Sequence, residues 1–592
     1  MDALLQSALD QIHAGQIERG EATLRRVLQR QPRQAQALRT LATILAQQRR
    51  YEQAEHFFQR ALAAAPTHAG LAANYGAHLM HLGRAREALA AFERAISIDP
   101  ALGEGHAGRC AALCVLGDYE PAIEAGRAAV RLAPLDSAGA VNLGLALAGS
   151  GQAMEACDVF ADALAVDPRN PNLISNFLGT GQYDPRATPE RLAADARRWG
   201  AALEALFGPA QERPRQALGA AGERAPGPLR VGVLSSDLRA HVVAQFMTGW
   251  MGAVDGTRAG LWMYHTGLHD RVSDQLRGIS AGWVDAHGLS DGELAQRIER
   301  DRLDVLLELN GHTEGSRPGV LAMRPAPAIV AYCGFPGSTG MPCVGYRLVD
   351  EQTDPPGAEA WASERLVRLG RCFLAYTPPA GPLPTTQREP AAEANTGAVT
   401  FGSFNAAPKI NPPLLRLWAR VLGRVPGSRL VIKNRALGAE AARARVRAVF
   451  EGAGIDPSRL SLRGWTSDTR SHLEQYREID IALDSAPYNG TTTTCEALLM
   501  GVPVLTLAGT THQARVGVSL LTHAGVPELI APSEGRLEEL AAALAGDPAR
   551  LAGYRATLRE RLLASPVCDC AAHARAMVAA LEQITMQRAN GG

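Results

Sequence analysis

The sequence has no excess of either charge. Lys plus Arg and Asp plus Glu both come to 60 in 592 residues, so the formal net charge is zero. That balance argues against a nucleic-acid or anionic-membrane partner, which would call for a surplus of basic residues. Zinc-ligand spacing is also missing. Of nine scattered cysteines, only Cys110 with Cys114, at helical spacing, and Cys568 with Cys570 lie near one another. Buried free thiols in a reducing compartment fit that pattern. The opening MDALLQSALDQIHAGQ lacks the basic-then-apolar order of a signal peptide, and no apolar run is long enough to span a bilayer. The expectation is a cytoplasmic, soluble chain of about three to five domain-sized units.

A repeat is present in the first third. Pro32, Pro66, Pro100, Pro134 and Pro168 recur every 34 residues, and Gly15, Gly83, Gly117 and Gly151 keep that period, with Arg49 in the glycine's place in the second unit. Gly20, Ala54, Ala88, Ala122 and Ala156 keep it too. Small residues where two helices cross, and a proline closing the second helix, are the marks of tetratricopeptide repeats. Stacked, they form an α-solenoid whose concave groove takes extended peptide or protein; dimerisation or scaffolding is the plainer use. Five repeats and a partial unit are expected over residues 1–182. A capping helix near Glu190 to Leu206 and a linker from Phe207 to Pro228 complete the segment 183–228.

Beyond the linker, short β-type runs alternate with helical patterns. The runs are Leu229–Ser235, Gly260–Tyr264, Leu303–Leu309, Ile329–Cys333 and Tyr346–Val349. Such alternation predicts a parallel sheet with right-handed crossovers. After a proline-rich break at 377–397 the alternation restarts, with strands expected at Val399–Gly402, Leu430–Lys433, Leu460–Leu462, Ile479–Leu483 and Val502–Leu507. Helices between them are expected at Pro412–Leu422, Ala439–Phe450, Asp468–Arg477, Thr492–Met500 and His512–His523. The fold expected is therefore two Rossmann-like lobes, 229–376 and 398–569, with a final helical segment at 570–592 able to brace the first lobe. Ligands of such sheets sit at the carboxyl ends of the strands, in the cleft.

One stretch, Asp484 to Pro503, concentrates the chemistry. Its strand breaks at Asn489 and Gly490 and opens a helix through Thr491, Thr492, Thr493 and Thr494. Unpaired amides and the positive end of the helix dipole would favour a phosphate there, and the hydroxyls add neutral donors. Glu496 would accept from sugar or ribose hydroxyls. The same residues also fit a plain strand-turn-helix capped by threonine. Across the second lobe Asn405, Lys409, Lys433 and His472 follow strands or open helices, and Lys409 is the best cation for a phosphate oxygen. The first lobe offers His241 and His312, each a base or polar contact, and the glycine-rich loop with Gly334 and Pro336. No Asp-x-Asp pair or His/carboxylate cluster stands where a diphosphate-bound metal is expected. Lysine and helix-start amides would then offset the leaving charge.

RPAPAIVAYCGFPGSTGMP (Arg324–Pro342), TFGSFNAAPKINP (Thr400–Pro412), PYNGTTTTCEALLMGVP and AGTTHQARVGVSLL (Ala508–Leu521), set behind the repeats, closely resemble the O-GlcNAc transferase/SPINDLY family. The resemblance implies a B-type glycosyltransferase fold and inverting, metal-independent transfer of a sugar from a nucleotide donor to Ser or Thr of proteins. By motif, Lys409 matches the lysine on the donor diphosphate, His472 the histidine that packs on the base, and Thr492 and Thr493 the threonines at the phosphates. Glu496 stands where O-GlcNAc transferases have a ribose-contacting aspartate. His241 matches a histidine beside the sugar, whose part as base or positioner stays open, and Gly334 and Pro336 match the loop against the sugar.

This chain departs from the animal O-GlcNAc transferases at Thr491, where they have histidine, at Glu496, and at Ala406, where they have glutamine. GTTTTCE, GHT and GVSLL look more like SPINDLY, whose members include protein O-fucosyltransferases using GDP-fucose. The donor expected is UDP-GlcNAc, with GDP-fucose as the alternative and no cofactor or metal required. The partners expected are protein acceptors held by the repeat groove. A reading of another class is a catalytically weak sugar-nucleotide sensor whose repeat is the effector surface.

Overall fold

The computed structural model describes residues 3–207, 227–388 and 398–590, apart from Arg49 and Ser467. Most of the linker expected at Phe207 to Pro228, the later part of that at 377–397, and the Arg49 substitution therefore lie outside the described residues.

The periodic third is helical throughout. Ala3–His13 pairs with Ile17–Arg30, Ala35–Gln47 with Tyr51–Ala64, Ala69–His81 with Ala85–Ile98, and Gly103–Leu116 with Tyr119–Leu132. Ser137–Gly149 and Ala153–Val166 continue the series. Each second helix stops two residues short of its proline, whose ring cannot continue the helix. The turn between paired helices needs a left-handed residue, and Gly15, Gly83, Gly117 and Gly151 supply it at φ 74°, 72°, 88° and 89°. At the second periodic site a Cβ on Gly20 would meet Ile12 at 2.5 Å, and Ala54, Ala88 and Ala122 are fully buried. Close helix approach is what keeps these positions small.

Met1–Ser150 with Asp158–Asp167 form one compact unit, and Gly151–Cys157 with Pro168–Gly592 form the other. Within the second, the capping helix Pro189–Leu206 lies on the first lobe. A Cβ on Gly200 would stand 2.3 Å from the Gly340 carbonyl carbon, and Glu204 accepts from the Cys343 amide at 2.7 Å.

The first lobe holds seven parallel strands: β1 (Leu229–Ser235), β2 (Ala259–His265), β3 (Gly282–Asp285), β4 (Val305–Glu308), β5 (Ile329–Ala331), β6 (Tyr346–Val349) and β7 (Arg365–Arg368). Their order is β3-β2-β1-β4-β5-β6-β7. The second lobe holds six more, β8 (Thr400–Ser403), β9 (Arg429–Lys433), β10 (Leu460–Arg463), β11 (Ile481–Leu483), β12 (Val504–Leu507) and β13 (Ile530–Ala531), ordered β10-β9-β8-β11-β12-β13. Every recorded pairing is parallel, as the alternation of strands and helices predicts. The strands absent from the sequence reading, β3, β7 and β13, are all edge strands. β3 and β7 are short and partly polar and β13 has only two residues, so none shows the long apolar run of a central strand.

Two expected helices are subdivided. Asp468–Arg477 is a short helix, Thr469–Glu474, followed by a 3-10 turn at Gln475–Glu478; His512–His523 is a 3-10 turn, His512–Ala514, followed by the helix Val516–His523. The last helix, Cys570–Asn590, does return to the first lobe. His573 Nε2 meets the Tyr332 hydroxyl at 3.0 Å, and Arg258 pairs with Glu582 at 2.6 Å. The lobes are also strapped together after β6. Asp350 accepts from the Ser519 hydroxyl at 2.5 Å, the Gln352 carbonyl from Arg515 at 2.7 Å, and Asp354 meets His512 at 2.6 Å. Among the described residues no helix is long and apolar enough to cross a membrane.

Candidate active site

Each sheet reverses its strand order once, between β1 and β4 in the first lobe and between β8 and β11 in the second. In open parallel sheets a crevice opens at the carboxyl end of that reversal. The residues following these four strands are therefore the candidate site, and they include most of the residues singled out from the sequence.

In the second lobe the turn after β11 is organised by Asp484. Its Oδ1 accepts from the amides of Gly490 at 2.6 Å and Ser485 at 2.8 Å, and its Oδ2 from the Thr506 hydroxyl at 2.9 Å. Burial raises the carboxyl to about 6 against those hydrogen bonds. A Cβ on Gly490 would meet Thr493 Oγ1 at 2.5 Å and Asn405 Oδ1 at 3.0 Å, so the turn closes only around glycine. Asn405, after β8, accepts from the Thr493 hydroxyl at 2.9 Å. Thr494 is buried and donates to the Gly490 carbonyl at 3.1 Å, so its hydroxyl braces the turn. Thr491 makes no side-chain cap, in contrast to the plain capping alternative, and Thr492–Leu499 therefore begins without one. The four threonines thus divide: Thr493 and Thr494 hold the turn, while Thr491 and Thr492 stand at its open end.

Lys409 reaches this turn from the 3-10 segment Ala407–Lys409. Its Nζ donates to the Asn489 carbonyl at 2.7 Å and lies 4.0 Å from the centre of the Tyr488 ring. Burial lowers its ammonium to about 8, with the Asp484 carboxylate opposing that shift. Tyr488 stacks on Tyr183 at 4.9 Å and 14°. Tyr488 belongs to the PYNGTTTTCEALLMGVP motif, whereas Tyr183 lies outside every motif.

A second cluster lies beyond β9 and β10. Lys433, 2% exposed, donates to His472 Nδ1 at 2.6 Å and to the Thr466 hydroxyl at 3.3 Å. With Nδ1 accepting from an ammonium, the ring proton sits on Nε2 and is donated to Glu496 Oε2 at 3.0 Å. Phe404 packs beside it, 4.8 Å below Lys433 Nζ and 5.7 Å from the His472 ring. Burial lowers Lys433 to about 8 while Glu496 opposes. This chain fixes the tautomer of His472 and leaves Glu496 Oε1 for a ligand hydroxyl.

The first lobe contributes a buried polar network. Glu308, at the end of β4, accepts from the amides of Asn310 at 2.7 Å and Gly311 at 2.8 Å, and burial raises its carboxyl to about 7. The Asn310 side chain donates to Ser236 Oγ at 2.9 Å and Asp237 Oδ2 at 3.1 Å and accepts from the Ser236 amide at 3.1 Å. Asp237 Oδ2 lies 3.6 Å from His241 Nδ1, which also caps Val242–Gly252 through the Val243 amide at 3.4 Å. His241 is the accessible member, with its side chain 36% exposed; burial lowers its pKa, with Asp237 opposing. His312, by contrast, is buried with Nε2 on the Thr339 carbonyl at 2.7 Å and Nδ1 without a hydrogen-bond partner.

The loop after β5 passes close to both lobes. Cys333 adopts a left-handed φ of 67°, rare for a residue with a Cβ, and a Cβ on Gly334 would lie 1.8 Å from the Leu309 carbonyl oxygen. The Pro336 carbonyl accepts from the buried Arg347 at 3.3 Å. The loop is thus pressed onto the end of β4, with no room for a side chain at Gly334. Among the described residues, the one group of His, Cys and carboxylate side chains close enough to share an ion is Asp350, Cys372 and His523. It belongs to the strap between the lobes, where Asp350 already accepts from three amides, of Gln352, Thr353 and Phe373, and from the Ser519 hydroxyl.

Glu308, Asp484 and Tyr488 had no role in the sequence reading. Asp484 and Tyr488 lie in the stretch that the sequence singles out; Glu308 is marked by position alone, at the end of a strand flanking a reversal of strand order.

Comparison with known proteins agrees with this fold. Residues 11–75 and 45–113 match the tetratricopeptide repeat, and residues 213–376 and 383–577 match Glycosyl transferase family 41. A probable UDP-N-acetylglucosamine–peptide N-acetylglucosaminyltransferase SPINDLY of Solanum lycopersicum is 36% identical over 419 residues, 70% of this chain and 44% of that protein. The protein of the same description from Arabidopsis thaliana is 36% identical over 411 residues, 68% of this chain and 44% of its own length. The chain thus spans less than half the length of these relatives. A solved mutant O-GlcNAc transferase of Thermobaculum terrenum superposes with a TM-score of 0.78 at 29% identity, covering 89% of this chain and 98% of that one. With both lobes matched from end to end, the chain belongs to glycosyl transferase family 41.

Proposed function

We propose that this protein transfers a sugar from a nucleotide donor, UDP-GlcNAc, to Ser or Thr hydroxyls of proteins, with inversion and without a metal ion. The observation that carries it is the convergence of Lys409 and the uncapped start of Thr492–Leu499 on one turn at the switch point of the second lobe. In this reading the diphosphate lies against Lys409, Thr491, Thr492 and the first helical amides, which take up charge as the bond from the anomeric carbon to phosphate breaks. Lys433, His472 and Glu496 hold the nucleoside, with Glu496 accepting from the ribose. The backbone of Gly334 and Pro336 lies along the sugar.

The acceptor hydroxyl attacks the anomeric carbon from the side opposite the phosphate. Its proton leaves towards the first lobe, where His241, backed by Asp237, stands as base or positioner. The repeat groove holds the acceptor polypeptide. The relatives' printed description, peptide N-acetylglucosaminyltransferase, supports both donor and acceptor class.

The test is incubation of the purified chain with labelled UDP-GlcNAc and a cell lysate in the presence of EDTA, with GDP-fucose run in parallel. Label on protein, released as a sugar O-linked to Ser or Thr, is expected from UDP-GlcNAc. No label from UDP-GlcNAc with or without added metal would refute the reading, and label from GDP-fucose alone would transfer it to that donor.

A further inference from the structure

Trp465 stands apart from the other large apolar side chains of the second lobe. It is 69% exposed, in the loop that leaves β10 at the carboxyl edge of the sheet. In the parallel register Arg463 faces Lys433, and the Asn434 amide donates to the Arg463 carbonyl at 3.1 Å, so the two strand ends are tied together. Trp465 lies two residues past that tie. Its neighbour Thr466 is held on both sides, accepting from Lys433 at 3.3 Å and from Gln475 at 2.8 Å. A Cβ on Gly464 would come within 3.2 Å of Gly438, which brings this loop against the loop after β9. The indole is therefore carried on an anchored backbone, one residue before the Thr466 that Lys433 holds, with most of its surface in water.

The Lys433, His472 and Glu496 cluster can meet the edge of a ligand through Glu496, but its rings, Phe404 and His472, are largely buried and offer little exposed face. An exposed indole supplies one. We propose that Trp465 stacks on the nucleobase of the donor and contributes to nucleotide affinity through that contact. The proposal rests on the donor site described above, and it adds, from outside the motifs, a second base contact to the packing expected of His472. Stacking requires no particular base, since uracil and guanine both present a π-face. The effect belongs to binding and not to the chemical step, because the base is remote from the anomeric carbon.

The experiment is titration of the intact chain with UDP, and separately with GDP, by calorimetry and by tryptophan fluorescence, for the wild type, Trp465→Ala, Trp465→Phe and Lys409→Ala. Because Trp465 is exposed, its replacement should leave the melting temperature unchanged. Trp465→Ala is expected to weaken binding of the preferred nucleotide about tenfold and raise the donor KM similarly, with kcat within about twofold. Trp465→Phe should keep most of the affinity while losing the quench that nucleotide causes in the wild type. Inorganic pyrophosphate should bind the wild type and Trp465→Ala alike. Wild-type affinity in Trp465→Ala, with binding still lost in Lys409→Ala, would overturn this proposal alone. Failure of the wild type to bind either nucleotide would overturn it together with the donor site.

Discussion

The Lys409 ammonium donates to the carbonyl of Asn489 at 2.7 Å, joining the segment after β8 to the turn after β11 across the reversal of strand order. The bond places a buried cation at the mouth of the threonine turn and holds it there on the Tyr488 face. Substituting Lys409 with Ala should lower kcat by about 100- to 1000-fold, the range for loss of one preorganised charge-stabilising group. The melting temperature should barely move, since the side chain's burial is opposed by its own desolvation. Steady-state transfer assays with a thermal melt of the same preparation check both halves.

The same lysine sets a pH limit. Its pKa is lowered from the ordinary 10.5 to about 8 by burial. Donor binding that needs the ammonium is then flat below about pH 8 and weakens about tenfold per unit above it. Calorimetric dissociation constants for UDP across that range should show the bend.

Asn310 should matter to turnover without touching donor or acceptor. It bridges Ser236 and Asp237, and Asp237 lies beside His241. Asn310→Ala frees the Asp237 carboxylate and should lower kcat about 10- to 100-fold through misplacement of His241. The dissociation constant for UDP should stay as in the wild type. A parallel loss in both would place Asn310 in the support of the whole lobe instead.

Glu308 should leave a mark on stability. Burial raises its folded-state pKa from 4.5 to about 7, so between those values the folded chain binds more protons than the unfolded one. Its contribution is present below about pH 4.5 and is lost as the pH rises through about 7, by up to about 3 kcal/mol. Glu308→Gln keeps an acceptor for the Asn310 and Gly311 amides and cannot titrate. Its melting temperature should fall less than the wild type's between those pH values.

The strap makes a coupling prediction. Asp354 and His512 meet at 2.6 Å with side chains 7% and 6% exposed. Burial alone would raise the Asp354 carboxyl, but His512 and Arg347 together hold it below the ordinary range. Replacing either partner by Ala should cost about 3–5 kcal/mol, since it leaves the other group buried and unpaired. The double replacement should cost clearly less than the sum of the two in denaturant unfolding.

Much of the architecture was legible because it obeys periodicities. A proline every 34 residues ends a helix whatever surrounds it, and the central strands β1, β4 and β9 are apolar on both faces. The threonine turn and Lys409 were legible because Gly490 and the run after it break a strand into a helix. The edge strands β3, β7 and β13 were not, since β3 and β7 mix apolar with polar residues over four positions and β13 has only two residues. Partnerships such as Asp354 with His512, or Asp484 with Gly490, depend on which backbone amide or ring a carboxylate meets after folding. Local spacing does not encode that for residues 158 apart.

The account's central claim is that an activated sugar diphosphate docks where Lys409 meets the threonine turn. A crystal structure of the chain with UDP tests it most directly. The account predicts pyrophosphate oxygens within hydrogen-bond distance of Lys409 Nζ and the amides at the start of Thr492–Leu499, with the base beside Lys433 and His472. A well-ordered nucleotide bound elsewhere, with that turn empty, would contradict it.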